Sequence, residues 1–234
     1  MNGAAMLALQ RIDTALDGVT NRRPRLPEVA AHAAAKAELA GIRAIESALQ
    51  QRYDAAQAVI DGAEDQSATL STKRARLESQ LKTIISPREA EALMSEIATV
   101  KAHRDELDEQ ELAALEDQAG AEAELAAVRA DIPVKQAAVD EAAEALAAAN
   151  SALDAEVDEQ LQLRGPAADA LDAAETAAYE RARKQFGGVG VATLEGHRCS
   201  GCHLDLSPAE VDVVKAVANG ELAECPQCAR YLVR

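Results

Sequence analysis

Apolar residues in this chain recur by alternating threes and fours over most of its first 150 positions, and this period limits the available folds more than any other feature. One series, Ile42, Leu49, Ala56, Ala63, Leu70, Leu77 and Ile84, is apolar at every heptad. Its companion, Leu39, Glu46, Tyr53, Ile60, Ser67, Arg74 and Leu81, is interrupted by polar residues. Such a repeat is the seam of a supercoiled helix. A second seam follows, with Leu93, Val100, Leu107, Ala114, Ala121 and Val128 in one series and Ile97, Leu125, Ile132, Val139, Leu146 and Leu153 in the other. Between them lies "ISPRE" (85–89), where Pro87 cannot continue a helix and Ser86 is driven out of the helical region. Two seams flanking one break predict an antiparallel hairpin with its tip near 85–88.

Composition agrees with long helices and argues against a thick core. There is no Trp, one Phe and three Tyr, and about 55 of the hydrophobic residues are Ala, which favours helix strongly and buries little area. At about 1.5 Å per residue, residues 28–84 alone would span about 85 Å. Further breaks are expected at "RRPRLPE" (22–28), "DIP" (131–133) and "RGP" (164–166), since each proline removes a helical hydrogen bond. The segment before Pro24 then returns beside residues 150–185. Within the seams, Glu46, Arg74, Arg104 and Glu111 are read as setting register, with no chemistry assigned to them.

No run of 18 apolar residues occurs, and "MNGAAMLALQRID" lacks the basic start, apolar stretch and cleavage site of a signal peptide. A soluble, cytoplasmic protein without a membrane partner is expected. The formal charge of −16 is unevenly spread: residues 105–160 hold 17 Asp or Glu against Arg129 and Lys135, a local −15, which leaves about −1 for everything else. Lys73, Arg74, Arg76, Lys82, Arg88, Lys101 and Arg104 surround the predicted tip. Arg22, Arg23 and Arg25 would meet Arg181, Arg183 and Lys184 at the root.

All four cysteines fall in "CSGCHLDLSPAEVDVVKAVANGELAECPQC" (199–228), as two CxxC pairs with 22 residues between them. Tetrahedral zinc takes thiolates in pairs from tight turns, and Gly201 and Pro226 suit such turns. Cys199, Cys202, Cys225 and Cys228 are therefore assigned to a structural Zn2+, with iron left open by sequence. Four thiolates leave no position for water, which excludes catalytic zinc, and neither pair has the βαβ setting of a redox motif. His203 and His197 are read as surface residues or as supports behind the metal ligands, not as ligands. Between the pairs, "SPAE" (207–210) is a capping box that starts a short helix, with Val211, Val214 and Val217 on its apolar face and Asn219-Gly220 at its end. "VGVATLEGHR" and "ARYLVR" are β-compatible and should supply the strands.

The order of "SPREAEALMSEI", "YERARKQFGGVGVATLEGHRCSGCHLDLSPAE" and "ECPQCARYLVR" resembles the bacterial four-cysteine zinc-ribbon family with an N-terminal coiled-coil hairpin, over essentially the whole chain. The resemblance implies a mainly α fold: a long kinked coiled-coil hairpin over residues 1–186, then a small zinc ribbon with a short helix over 187–234. It also implies nucleic-acid-binding or protein-adaptor factors linked to transcription, flagellar or secretion regulation, and no enzyme activity. One departure is Ala229, where Gly is expected after the last ligand.

Two functions follow from these residues. The first is a non-enzymatic nucleic-acid-binding regulator of DNA or RNA, contacting phosphates through Arg22, Arg23, Arg25, Arg181, Arg183, Lys184, Arg198, Arg230 and Arg234. Tyr231 is the sole aromatic of the ribbon region, so sequence-specific readout is not expected. The alternative is a protein–protein adaptor or chaperone-like factor for transcription or secretion machinery, with the hairpin as docking rod. No small-molecule substrate is implied. Sequence leaves the oligomeric state, the identity of the partner and the angle of the ribbon open.

Overall fold

A computed structural model describes residues 1–218 and 221–233, and these divide into two compact units. One comprises His32–Ala142; the other joins Met1–Ala31 to Ala143–Arg234, so the expected boundary at 186/187 falls inside it. Helix α1 covers Gly3–Arg22, a 3-10 turn covers Arg23–Arg25, α2 runs over Pro27–Leu81, α3 over Pro87–Asp169 and α4 over Ala173–Gln185. Among the described residues no helix is long and apolar enough to cross a membrane.

Within the first unit, α2 and α3 form the antiparallel hairpin. Lys135 donates to Glu38 at 2.7 Å, Arg129 to Glu46 at 3.0 Å, Gln118 to Gln57 at 2.5 Å and Arg104 to Ser67 at 3.2 Å, while Lys73 pairs with Glu96 at 2.9 Å. Each advance along α2 is matched by a step back along α3, as a hairpin closing between Leu81 and Pro87 requires. Every predicted seam position is buried or half-buried, including the polar ones. Leu49, Ala56, Ala63, Leu107, Ala114 and Ala121 are among the buried residues. Glu46 and Arg104 contact the opposite helix, whereas Arg74 pairs with Glu78 on its own.

The expected break before Pro27 is present, but those at Pro133 and Pro166 are not: α3 is helical through both. Each proline removes one hydrogen bond, and at Pro166 the helix is held on both sides by tertiary contacts, Arg164 bonding Asp13 and Ala167 and Ala168 packing beside Leu171 and Tyr179.

In the second unit α1 returns beside the end of α3. Arg22 pairs with Glu156 and Arg23 with Asp154, and Arg164 donates to Asp13 at 2.7 Å. The C-terminal strands are β1 (Val191–Glu195), β2 (Arg198–Cys199), β3 (Ala223–Glu224) and β4 (Tyr231–Val233), in sheet order β2-β1-β4-β3. β1 and β4 run parallel, and β2 and β3 pair antiparallel to them. Helix α5 (Pro208–Ala216) lies between β2 and β3 in the chain. It starts at the predicted capping box: the Ser207 amide donates to Glu210 at 2.7 Å and the Glu210 amide to Ser207 Oγ at 3.4 Å. Its predicted stop, Asn219-Gly220, lies outside the described residues.

Strand alternation gives the sheet two interiors. Ala192 and Leu232 pack with Cys199, Cys225, Leu206, Val211 and Val214 on the cysteine side. Val191 and Val233 pack on the other side with Met6 and Leu9 of α1 and Ala178 and Tyr179 of α4.

Candidate metal centre and the root that carries it

Each CxxC pair sits in a turn of the same construction. In the first, the Cys199 amide donates to Leu204 O at 3.1 Å and the His203 amide to Cys199 O at 2.8 Å. In the second, the Cys225 amide donates to Arg230 O at 2.9 Å and the Ala229 amide to Cys225 O at 2.8 Å. The residue after the second cysteine takes a left-handed backbone in both, with φ of 62° at His203 and 60° at Ala229. His203 is therefore an exposed turn residue, consistent with its expected surface role. Histidine tolerates that conformation better than most residues; alanine pays its steric cost at a position suited to glycine.

Fit to a tetrahedral ion can be tested on the sulfurs. All four Sγ atoms lie within 4.8 Å of one another, and a Zn–S bond of about 2.3 Å places tetrahedral sulfurs about 3.8 Å apart. The Gly201 amide points at Cys199 Sγ from 3.4 Å. Burial raises the Cys225 thiol to about 12. At Cys228 burial is outweighed by donation from Arg230 and the neighbouring thiols, which lowers it to about 7. Zinc takes thiolates, so loading this set releases protons. The zinc is structural: four cysteines fill its coordination and hold the two turns together.

Close packing ties the centre to the helices. A Cβ on Gly190 would sit 2.6 Å from the Arg183 amide nitrogen, and one on Gly201 would sit 2.8 Å from Arg230 Cδ. Arg230 lies with its guanidinium 5.0 Å from the Phe186 ring centre and donates to Val189 O at 2.8 Å and Phe186 O at 3.2 Å.

Several residues of the predicted basic cluster are engaged in the same way. Arg22 and Arg23 hold acids on α3, Arg183 donates to Asp17 at 2.8 Å, and Arg198 donates to Asp205 at 2.9 Å. Arg25, Arg181 and Lys184 are exposed and make no ion pair among the described residues, and Arg234 lies outside them.

Sequence reasoning missed the residues at the centre of the root. Asp13 is 1 % exposed and accepts from Arg164 at 2.7 and 3.3 Å and from the Tyr179 hydroxyl at 2.6 Å, with Arg183 Nε 3.7 Å away. Burial alone would raise its carboxyl, but the hydrogen bonds from Arg164 and Tyr179 and the two guanidinium charges hold it below its ordinary range. Burial, together with the Asp13 bond, pushes the Tyr179 phenol upward. Gln10, 3 % exposed, accepts from the amides of Gly190 at 2.8 Å and Val191 at 3.2 Å and donates to Gly188 O at 2.8 Å. The available signal was position: Met6, Leu9, Gln10 and Asp13 share one stripe of α1, and a polar residue on such a stripe needs a buried partner.

Comparison with known proteins agrees with this architecture. Residues 9–187 match the family model of a CT398-like coiled coil hairpin domain, and residues 198–232 match that of a C4-type zinc ribbon domain. An uncharacterized protein of Mycobacterium tuberculosis is 29% identical over 250 residues, covering 98% of this chain and 94% of that protein. A structure from Mycobacterium smegmatis superposes with a TM-score of 0.82 at 22% identity, over 99% of this chain and 97% of the other. CT398 from Chlamydia trachomatis gives 0.80 at 22% identity, over 98% and 96%. The HP0958 protein of Helicobacter pylori gives 0.61 at 14% identity, over 98% and 95%. Neither model describes an enzyme domain. With more than half its length inside the hairpin model and its four cysteines inside the ribbon model, this chain belongs to the CT398-like coiled-coil hairpin family.

Proposed function

We propose that this protein is a non-enzymatic protein–protein adaptor, in which the hairpin is the docking element and zinc holds the C-terminal strands in shape. The observation that carries this reading is the state of the root cations. Of the nine basic residues the nucleic-acid reading needs, Arg22, Arg23, Arg183, Arg198 and Arg230 each hold a partner within the chain. Phosphate binding draws its affinity from cations free to displace counterions, and among the described residues of that set only Arg25, Arg181 and Lys184 have no side-chain partner, which supplies little of it. The 17 acids between 105 and 160 add a field that repels phosphate and favours a basic protein surface.

Titration of labelled duplex DNA and single-stranded RNA with the full chain at about 50 and 200 mM salt tests the reading. No saturable binding at the lower salt is expected. Micromolar binding that weakens with salt and disappears in an Arg181→Glu, Lys184→Glu variant would overturn it in favour of the nucleic-acid regulator. Arg183 is left unchanged in that variant because it holds Asp17 and faces Asp13.

A further inference from the structure

Several cations along the hairpin are paired across it, Lys73 with Glu96 among them, but four others around its tip are not. Arg52 holds Asp117 and Glu124, Arg129 holds Glu46 and Lys135 holds Glu38. Arg76, Lys82, Arg88 and Lys101 are exposed and make no ion pair among the described residues. Residues 73–104 carry seven Lys or Arg against four Glu, a net +3 in a chain of net −16. The N-terminus of α3, with its partial positive charge, also begins here, at Pro87.

Two exposed apolar side chains lie in the same place. Ile85, in the turn between α2 and α3, is 97% exposed, and Met94 on the first turns of α3 is 60% exposed. Beside them, Gln80, Thr83, Ile84, Glu89, Ala92 and Leu93 line an open groove of about 490 Å3. Of its lining residues Ile84, Ala92 and Leu93 are apolar, and Glu89 is the one acid. The turn is closed rather than loose: the Thr83 amide and hydroxyl both donate to Gln80 O, at 3.0 and 2.9 Å. A shallow, open groove of this kind has room for one inserted apolar side chain.

From this juxtaposition we infer that the hairpin tip is the docking site for an acidic segment of a partner protein, which inserts an apolar side chain into the groove while its carboxylates meet Arg76, Lys82, Arg88 and Lys101. The inference rests on the adaptor reading and adds to it the place of contact and the partner's chemistry. Charge of this sign steers an acidic partner to the tip and leaves the affinity dependent on salt.

Site-specific photocrosslinking in cells tests it, with benzoylphenylalanine placed at Ile85, at Val59 on the flank of α2, or at Val213 on the outer face of α5. The expected result is a protein adduct at Ile85. That protein, once purified, should bind the full chain with an affinity that falls as salt rises and falls at least about tenfold in a Lys82→Glu, Arg88→Glu variant. Circular dichroism equal to the parent's shows that this variant folds. Adducts at Val59 or Val213 alone overturn the tip assignment and leave the adaptor reading standing; no protein adduct at any position overturns both. Equal affinity in the charge-reversed variant overturns the acidic chemistry. Phospholipid adducts at Ile85, with binding to phosphatidylglycerol vesicles, overturn the inference in favour of a membrane surface.

Discussion

Along the α2–α3 seam every buried position is apolar, with Ala56, Ala63, Ala114 and Ala121 set among larger residues such as Leu49, Ile60 and Leu107, whereas on α1 at the root two buried positions go to Gln10 and Asp13. Both arrangements bring helices together, by different physics. Small side chains allow close approach over many heptads, each contributing little, and polar groups on the rim set the register. At the root a few buried polar groups do the joining, and each is costly to leave unpaired. Size is thus the sensitive variable in the seam and partner satisfaction the sensitive variable at the root.

Removing zinc should produce the largest effect. A four-cysteine site contributes its binding free energy to folding, so Cys225→Ser should abolish protection from hydrogen exchange over residues 191–233. Because Val191 and Val233 share a core with Met6, Leu9 and Tyr179, protection in α1 should fall as well. The seam around Leu107 should keep its protection; loss there would show that the two regions fold as one cooperative unit.

Next in size is Asp13→Ala, which leaves Arg164, Arg183 and the Tyr179 hydroxyl facing a void and should cost about 3 kcal/mol in urea unfolding. Acid titration sharpens the point. The folded carboxyl titrates below its ordinary value of 3.8, so its contribution is complete above that value and is lost as pH falls through the depressed folded value. Asp13→Asn should flatten that limb of the stability profile; an unchanged limb would show that other carboxylates govern it.

In the seam, Ala121→Leu should destabilise by about 1–3 kcal/mol through overpacking, because Ala121 is fully buried between helices. Arg104→Leu, at a half-buried seam position that gives up one bond to Ser67, should change stability by less than about 1 kcal/mol. If the order were reversed, the contrast between the two regions would fail.

Smallest, and opposite in sign, is Ala229→Gly. With φ at 60°, glycine relieves a steric cost of about 1 kcal/mol, so the melting temperature of the zinc-loaded protein should rise slightly. The same change at His203 should do less, since histidine tolerates this backbone better.

The sequence by itself determined whatever depends on short-range period and spacing. Heptads placed the seams and the tip at Pro87, "SPAE" placed the start of α5, and the two CxxC spacings identified the four ligands, because neighbours within one helix or one turn decide these features. Proline was over-read in α3: the helix runs on through Pro133 and Pro166 despite the lost hydrogen bonds. Only the tertiary structure decided the fate of the charges and of the root. Asp13 meets Tyr179 across 166 positions and Gln10 meets Gly190 across 180, and no local pattern encodes a partner so distant. The same holds for the cations: Arg22, Arg183 and Arg230 have the same composition signal as Lys82 and Arg88, and what separates structural from available charge is whether the fold brings an acid, a carbonyl or an aromatic ring within reach.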